Sequence, residues 1–340
     1  MVEVGAKFLS GSWRKYIARA CLAAVIIGVP YLLRDYPFYV DLIIKICFYT
    51  FIASAWNLTS GYVGMISFMH VALFGIGAYM STIAQSLFGI NVWIGLLIGC
   101  MISIGVGVGF IYPAVRLKGL FLALATLAFT TAVQVIFLNW RIVIYEETWT
   151  RYIGGAVGIF VPMVEDSLLA FQWHETKLPY CYIIMGLLAL QLLFMQRLVK
   201  SRTGYFFLSI REDEDAASSL GVNTIKYKLI AMAIAAFFCS IAGTFHAQYL
   251  LFVEPVSMFN LNFMFEIALL TILGGLGVIY GPLLGSLIYV PLSTLLRVTF
   301  GGTTYTGLAQ IILGITLIII MTRMPSGIYG YFDKFMKKIL

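Results

Sequence analysis

Ten apolar runs, each near the 20 or so residues that a helix needs to cross a bilayer, leave this chain little freedom in how it folds. They lie at about 17–33, 38–56, 65–88, 92–113, 119–138, 180–196, 229–251, 262–279, 282–297 and 305–321. Inside a bilayer every backbone amide must be satisfied within the protein, so a run of this length becomes a helix. The expected fold class is therefore an all-α integral membrane protein of about ten transmembrane helices, in one domain over 1–340. Only 11% of the residues are charged, against about 25% in an ordinary globular protein. The first run follows Lys7, Arg14, Lys15 and Arg19, like a signal peptide. It lacks a small-residue cleavage site and ends at Arg34 and Asp35, so it reads as a retained helix.

With so few charges, their placement sets orientation. Putting both termini in the cytoplasm makes 1–19, 114–118, 197–228 and 322–340 the inside segments. These hold four, two, six and four of the 22 Lys and Arg, which satisfies the positive-inside rule. The largest opposite-side segment, 139–179, has three basic and five acidic residues and reads as an extracytoplasmic loop. Runs two to three and eight to nine are joined by short uncharged turns, where a count of eight or nine spans would lose a helix. The net charge of +7 belongs to the flanks of apolar segments and points to the anionic membrane face, not to nucleic acid.

The stretch REDEDAASSLG at 211–221 holds four of the 15 acidic residues in a row, Glu212 to Asp215. It falls in the 197–228 cytoplasmic loop and is too polar to span. Ser209 and Glu212 have capping-box spacing, and Gly221 suits a helix stop. Ala216, Ala217 and Leu220 are expected on one face of a short helix. Acids in the first turn complement the helix dipole. A helix this short is marginal alone, so its apolar face calls for a protein partner.

Two glycine-rich stretches interrupt the apolar runs. One is GYVGMISFMHVALFGIGAY (61–79), with Gly64, Gly75 and Gly77 and, between them, Ser67 and His70. The other is ILGGLGVIYGPLLGS (272–286), with Gly274, Gly275 and Gly277. Such density serves either close helix packing or a break in the helix. The stretches occupy matching positions in runs two to five and seven to ten, which would run in opposite directions. That pattern marks a transport path between inverted repeats. Charged and polar groups within spans are costly and default to functional candidates. Glu266, His70 and His246 are of this kind, although a packing role is open to each histidine. Asp41 and Lys45 are spaced to pair with each other.

No phosphate-binding GxxxxGK[ST] loop, HExxH or GxSxG motif occurs, and no cysteine or histidine cluster suggests a metal site. No catalytic residue and no bound cofactor are expected.

Five stretches stand out in order along the chain: Asn57-Leu58 with Gly61, Tyr62, Gly64, Ser67, His70 and the run Phe74–Tyr79; RLKGLFLALATLAF at 116–129; RTGYFFLSIREDEDAASSLGVNTIKYKLIAM at 202–232; ILGGLGVIYGPLLG at 272–285; and RMPSGIYG at 323–330. Together they resemble the membrane permease subunits of ABC importers for branched-chain amino acids, in particular the longer of the two permease types. The resemblance implies a bacterial or archaeal plasma (inner) membrane location. It implies a second permease subunit in a heterodimer, two cytoplasmic ATPases that use ATP, and an extracytoplasmic substrate-binding protein. It also implies that the 197–228 loop carries the coupling helix, whose family pattern E-A-A-x-x-x-G matches Asp215, Ala216, Ala217 and Gly221, with Asp in the Glu place. Arg211, Glu212 and Leu220 complete the expected coupling set. Met65 and Met69, and Ile153 before Gly154-Gly155, depart from the family's usual residues, which leaves the substrate open among branched-chain amino acids, urea, amides or other small acids. The competing readings are an autonomous ion-coupled carrier or channel, and a membrane scaffold. The missing ladder of intramembrane acids weighs against the first, and the two glycine stretches against the second.

Overall fold

Polar side chains and glycines cut the apolar sequence into separate helices. In the computed structural model, which describes residues 28–145, 150–300, 306–324 and 327–331, α1 (Pro37–Trp56) starts on a proline, whose missing N–H costs nothing at a helix start. It runs on as a π-helical turn, Asn57–Tyr62. Residues 63–69 are irregular apart from a turn at Met69, and α2 (His70–Phe88) begins one residue later. Gly89, at φ +62, ends α2. Asn91 caps α3 (Val92–Ala114) by accepting from the Trp93 amide. The next helices are α4 (Leu120–Asn139), α5 (Leu178–Val199), α6 (Arg202–Glu212) and the short α7 (Glu214–Ser219). Asn223 caps α8 (Thr224–Leu250), and Asn260, after the single turn α9 (Pro255–Met258), caps α10 (Leu261–Gly274). The chain closes with α11 (Gly281–Phe300) and α12 (Thr306–Arg323).

Eight helical segments among the described residues are long and apolar enough to cross a membrane: Pro37–Tyr62, α2, α3, α4, α5, α8, Pro255–Gly274 and α11. Of the first expected span, 17–33, all but the end lies outside the described residues, and 28–32 are helical. The last expected span, 305–321, corresponds to α12. The run expected as one helix over 65–88 starts only at His70, because the chain spends 63–69 on a non-helical passage. The run expected over 262–279 stops at Gly274, where Gly275 takes φ +127.

At the centre α2, α3 and α8 pack against one another. Small residues set their spacing. A Cβ on Gly243 would lie 2.0 Å from the Phe74 carbonyl oxygen, and one on Gly77 would lie 2.5 Å from the Ser240 Cα. In a bilayer, where lipid competes for apolar surface, such close backbone approach is what holds helices together. A second group forms around α1, which packs against α5, α10 and α11.

The loop expected over 139–179 contributes strands to two small antiparallel sheets. Strand β1 (Arg141–Tyr145) pairs with β2 (Thr150–Gly154). Strand β3 (Ile159–Phe160) pairs with β4 (Phe252–Val253), just beyond α8. A buried amide chain fastens this loop to the bundle. Gln172 Nε2 donates to Gln248 Oε1 at 3.2 Å, and Gln248 Nε2 donates to Gln85 Oε1 at 2.8 Å. Unpaired, each amide would be expensive to bury; linked, they order the loop on the ends of α2 and α8.

Candidate functional site

The acidic stretch forms two helices, not one. Asp213 leaves helical geometry at φ −157 and accepts through Oδ1 from the amides of Asp215 and Ala216, both at 2.9 Å. It is therefore the N-cap of α7. The expected capping box is not used: Ser209 sits inside α6 and donates to the Phe206 carbonyl. Gly221, at φ +87, does end the segment. The expected shared face also divides. Ala217 is 3% exposed and turned inward, while Leu220 is 86% exposed and Ala216 is exposed. The outward surface of α7 thus presents Ala216 and Leu220.

The four acids separate by role. Asp215 pairs with Lys118, from the turn before α4, at 2.9 Å. This hydrogen bond raises the lysine pKa. Glu214 pairs with the buried Lys228 of α8 at 2.5 Å. Asp213 is the cap, and Glu212 is exposed at the end of α6.

Arg211 turns away from these acids. Its Nη1 donates to the Gly61 carbonyl at 2.7 Å. Gly61 belongs to the π-helical turn after α1, and this turn lies directly against the second glycine stretch. Asn57 Nδ2 donates to the Val278 carbonyl at 2.8 Å, and the Gly277 amide donates to Asn57 Oδ1 at 2.8 Å. A Cβ on Gly61 would be 2.5 Å from the Gly277 nitrogen. Gly277 itself takes φ +74, and a Cβ there would be 2.3 Å from Arg211 Nη1. Gly64, at φ +76, packs on the Arg211 backbone, and Gly327 packs on Gly275. The two helix breaks thus form one junction, held by Asn57 and clamped by Arg211. Sequence reasoning placed Arg211 only in the coupling set and quoted Asn57 without a role. The available signal was an amide side chain inside an apolar run.

Ser67 and His70 hold the break from within. Both are fully buried. The Trp56 indole donates to the Ser67 carbonyl at 2.9 Å, and His70 Nε2 lies 3.1 Å from Thr59 Oγ1. Thr126 and Thr130 of α4 satisfy the Phe68 amide and carbonyl at 2.9 and 3.1 Å. Non-helical backbone at this depth survives because protein groups replace the missing hydrogen bonds. Gly75 and Gly77 lie apart from the junction, where helices touch: a Cβ on Gly75 would enter the Phe259 ring at 2.3 Å. Gly274 meets the start of α11, with a Cβ 1.8 Å from the Gly281 carbonyl oxygen.

Glu266 lies away from the junction, near the start of α10. Its Oε2 accepts from the Tyr49 hydroxyl at 2.7 Å. His246 stacks on Phe48 with centroids 5.0 Å apart, and both residues, with Glu266, line one cavity. Asp41 and Lys45 pair at 2.8 Å, as their spacing predicts. Among the described residues, no group of three or more His, Cys, Asp and Glu side chains is placed to hold a metal ion.

Residues 38–321 match the family described as "Branched-chain amino acid transport system / permease component". The High-affinity branched-chain amino acid transport system permease protein LivM of Escherichia coli is 25% identical over 311 residues, covering 85% of this chain and 69% of that protein. The protein of the same name from Salmonella typhimurium aligns with the same identity and coverage. A probable branched-chain amino acid transport permease protein LivM from Methanocaldococcus jannaschii is 27% identical over 228 residues, covering 64% of this chain and 62% of that protein.

Proposed function

This chain belongs to the family of permease components of branched-chain amino acid transport systems, and from that premise we propose how its site works. It is the membrane-spanning subunit of an ATP-driven importer for branched-chain amino acids. A second permease subunit pairs with it, two cytoplasmic ATPases drive it, and an extracytoplasmic binding protein delivers the solute. Both termini and the 197–228 segment face the cytoplasm, and 139–179 faces the other side. In this assembly α7 is the coupling helix, and the exposed Ala216 and Leu220 dock on an ATPase.

The observation that carries the reading is the clamp of Arg211 on the Gly61 carbonyl. Arg211 lies two residues before Asp213, where the backbone kinks between α6 and α7. A displacement of α7 is therefore delivered through a short lever to the junction of the two broken helices. Glycine backbone at Gly61, Gly64 and Gly277 lets that junction close tightly and lets it re-form without side-chain clashes. The chain does no bond chemistry. It converts the movement of its partners into a change of access along the path, with the junction as the inner closure.

The decisive experiment reconstitutes the chain in proteoliposomes with and without its ATPase subunits. Leucine uptake that requires both the ATPases and ATP is expected. Uptake by this chain alone, driven by an ion gradient and indifferent to ATPases, would establish the autonomous carrier instead.

A further inference from the structure

At the end of the bundle away from α7 lies a cavity of about 360 Å³, a size suited to a small organic molecule. Its apolar wall consists of Phe48, Phe74, Phe245 and Phe263. The rings of Phe48 and Phe263 stack 6.1 Å apart at 11°. Two groups of opposite charge, Glu266 and Arg297, line the same cavity, and neither has an ion-pair partner among the described residues. Lys45 also lines it but is already held by Asp41, which Lys177 approaches from the other side at 3.2 Å. Tyr49 fixes the Glu266 carboxylate with its 2.7 Å hydrogen bond.

Glu266 is half-buried within a span, where an unanswered charge is costly, and Arg297, exposed in the last turn of α11, lines the same cavity. An acid and a base lining the same cavity as an aromatic wall are complementary to a molecule that carries both charges and an apolar body. We propose that this cavity is a binding site for zwitterionic amino acids with aliphatic side chains. The ammonium group sits on Glu266, the carboxylate on Arg297, and the side chain on the phenylalanine wall. A solute with one charge leaves the other protein charge unanswered, which is how such a site rejects it.

The site stands in line with the inner junction. Lys45, Phe48 and Tyr49 precede Asn57 by 12, 9 and 8 residues on α1 and its continuation, a helical rise of about 12–18 Å. Glu266 precedes Gly274 by eight residues on α10. These two helices thus carry Phe48, Tyr49 and Glu266 at the cavity and lead to the junction at their other ends, while α11 contributes Arg297. A solute held here waits on the far side of the closure that Arg211 clamps.

This inference rests on the permease reading, yet its test needs neither ATP nor partner proteins, so the two can fail separately. The full chain in lipid nanodiscs is titrated with radiolabelled leucine. Leucinamide, which lacks the carboxylate, and 4-methylpentanoate, which lacks the ammonium, then compete. Saturable leucine binding is expected, with each analogue weaker by about tenfold or more. Glu266→Gln should weaken leucine and remove the handicap of 4-methylpentanoate. Arg297→Gln should do the same for leucinamide. If Glu266→Gln fails to insert, Tyr49→Phe removes only the orienting hydroxyl and should still narrow the 4-methylpentanoate gap. Absence of saturable binding, equal competition by all three compounds, or unchanged selectivity in well-folded variants would overturn the proposal.

Discussion

Arg211 and Gly61, 150 residues apart in the chain, are joined by a 2.7 Å hydrogen bond from a guanidinium to a backbone carbonyl. The bond links the segment leading into α7 with the break after α1. It passes Gly277, the matching break before α11. Three stretches that the sequence singles out for different reasons meet at this point.

Removing the clamp should uncouple the importer. Arg211→Gln is expected to lower ATP-dependent leucine uptake about tenfold, within the range of coupling energies between sites, while ATP hydrolysis by the reconstituted complex continues. The measured ratio of solute transported to ATP hydrolysed reports this directly. An unchanged ratio would show that the bond transmits nothing.

Gly277→Ala should resemble that variant. Its φ of +74 strains any residue with a Cβ by roughly 1–2 kcal/mol, and the new methyl group would displace the Arg211 guanidinium. Because both changes act on one contact, the double variant should be little worse than either alone, the signature of coupled residues. Gly314→Ala on α12 is the control, since nothing lies within 4 Å of a Cβ there, and uptake should be unaffected.

Asn57→Ala orphans the Gly277 amide and the Val278 carbonyl together. A buried group left unpaired costs about 1–3 kcal/mol, and these two are part-buried, so thermal unfolding in detergent should begin a few degrees lower. Asn57→Asp keeps the acceptor for Gly277 and loses the donor to Val278. Its carboxyl is buried like the side chain it replaces, so its melting point should fall further as the pH is raised and the group ionises, whereas that of the alanine variant should not.

Leu220→Asp should abolish co-purification of the ATPases and leave the melting temperature of the permease unchanged, because this side chain is 86% exposed. Ala217→Arg should also block association, with a lower melting temperature as well, since Ala217 is 3% exposed and has no room for a guanidinium. Equal melting temperatures for the two variants would contradict the inward orientation of Ala217.

Apolar runs of bilayer length determined the helical class and most of the helix positions, since hydrocarbon leaves the backbone no alternative. Local capping chemistry was legible at Gly221, whose φ of +87 ends the α7 segment. It misled at Ser209, because Asp213 offers the α7 amides a nearer acceptor. The face of α7 was misjudged for a related reason: one turn of helix has no period of its own, and packing on α8 decided that Ala217 turns inward. What no pattern along the chain could supply was the meeting of distant parts. Glu266 and Arg297 on one cavity, and Asn57, Arg211 and Gly277 at one junction, are separated by tens to hundreds of residues. Only the close approach of helices, set by where glycine lets backbones touch, brings them together.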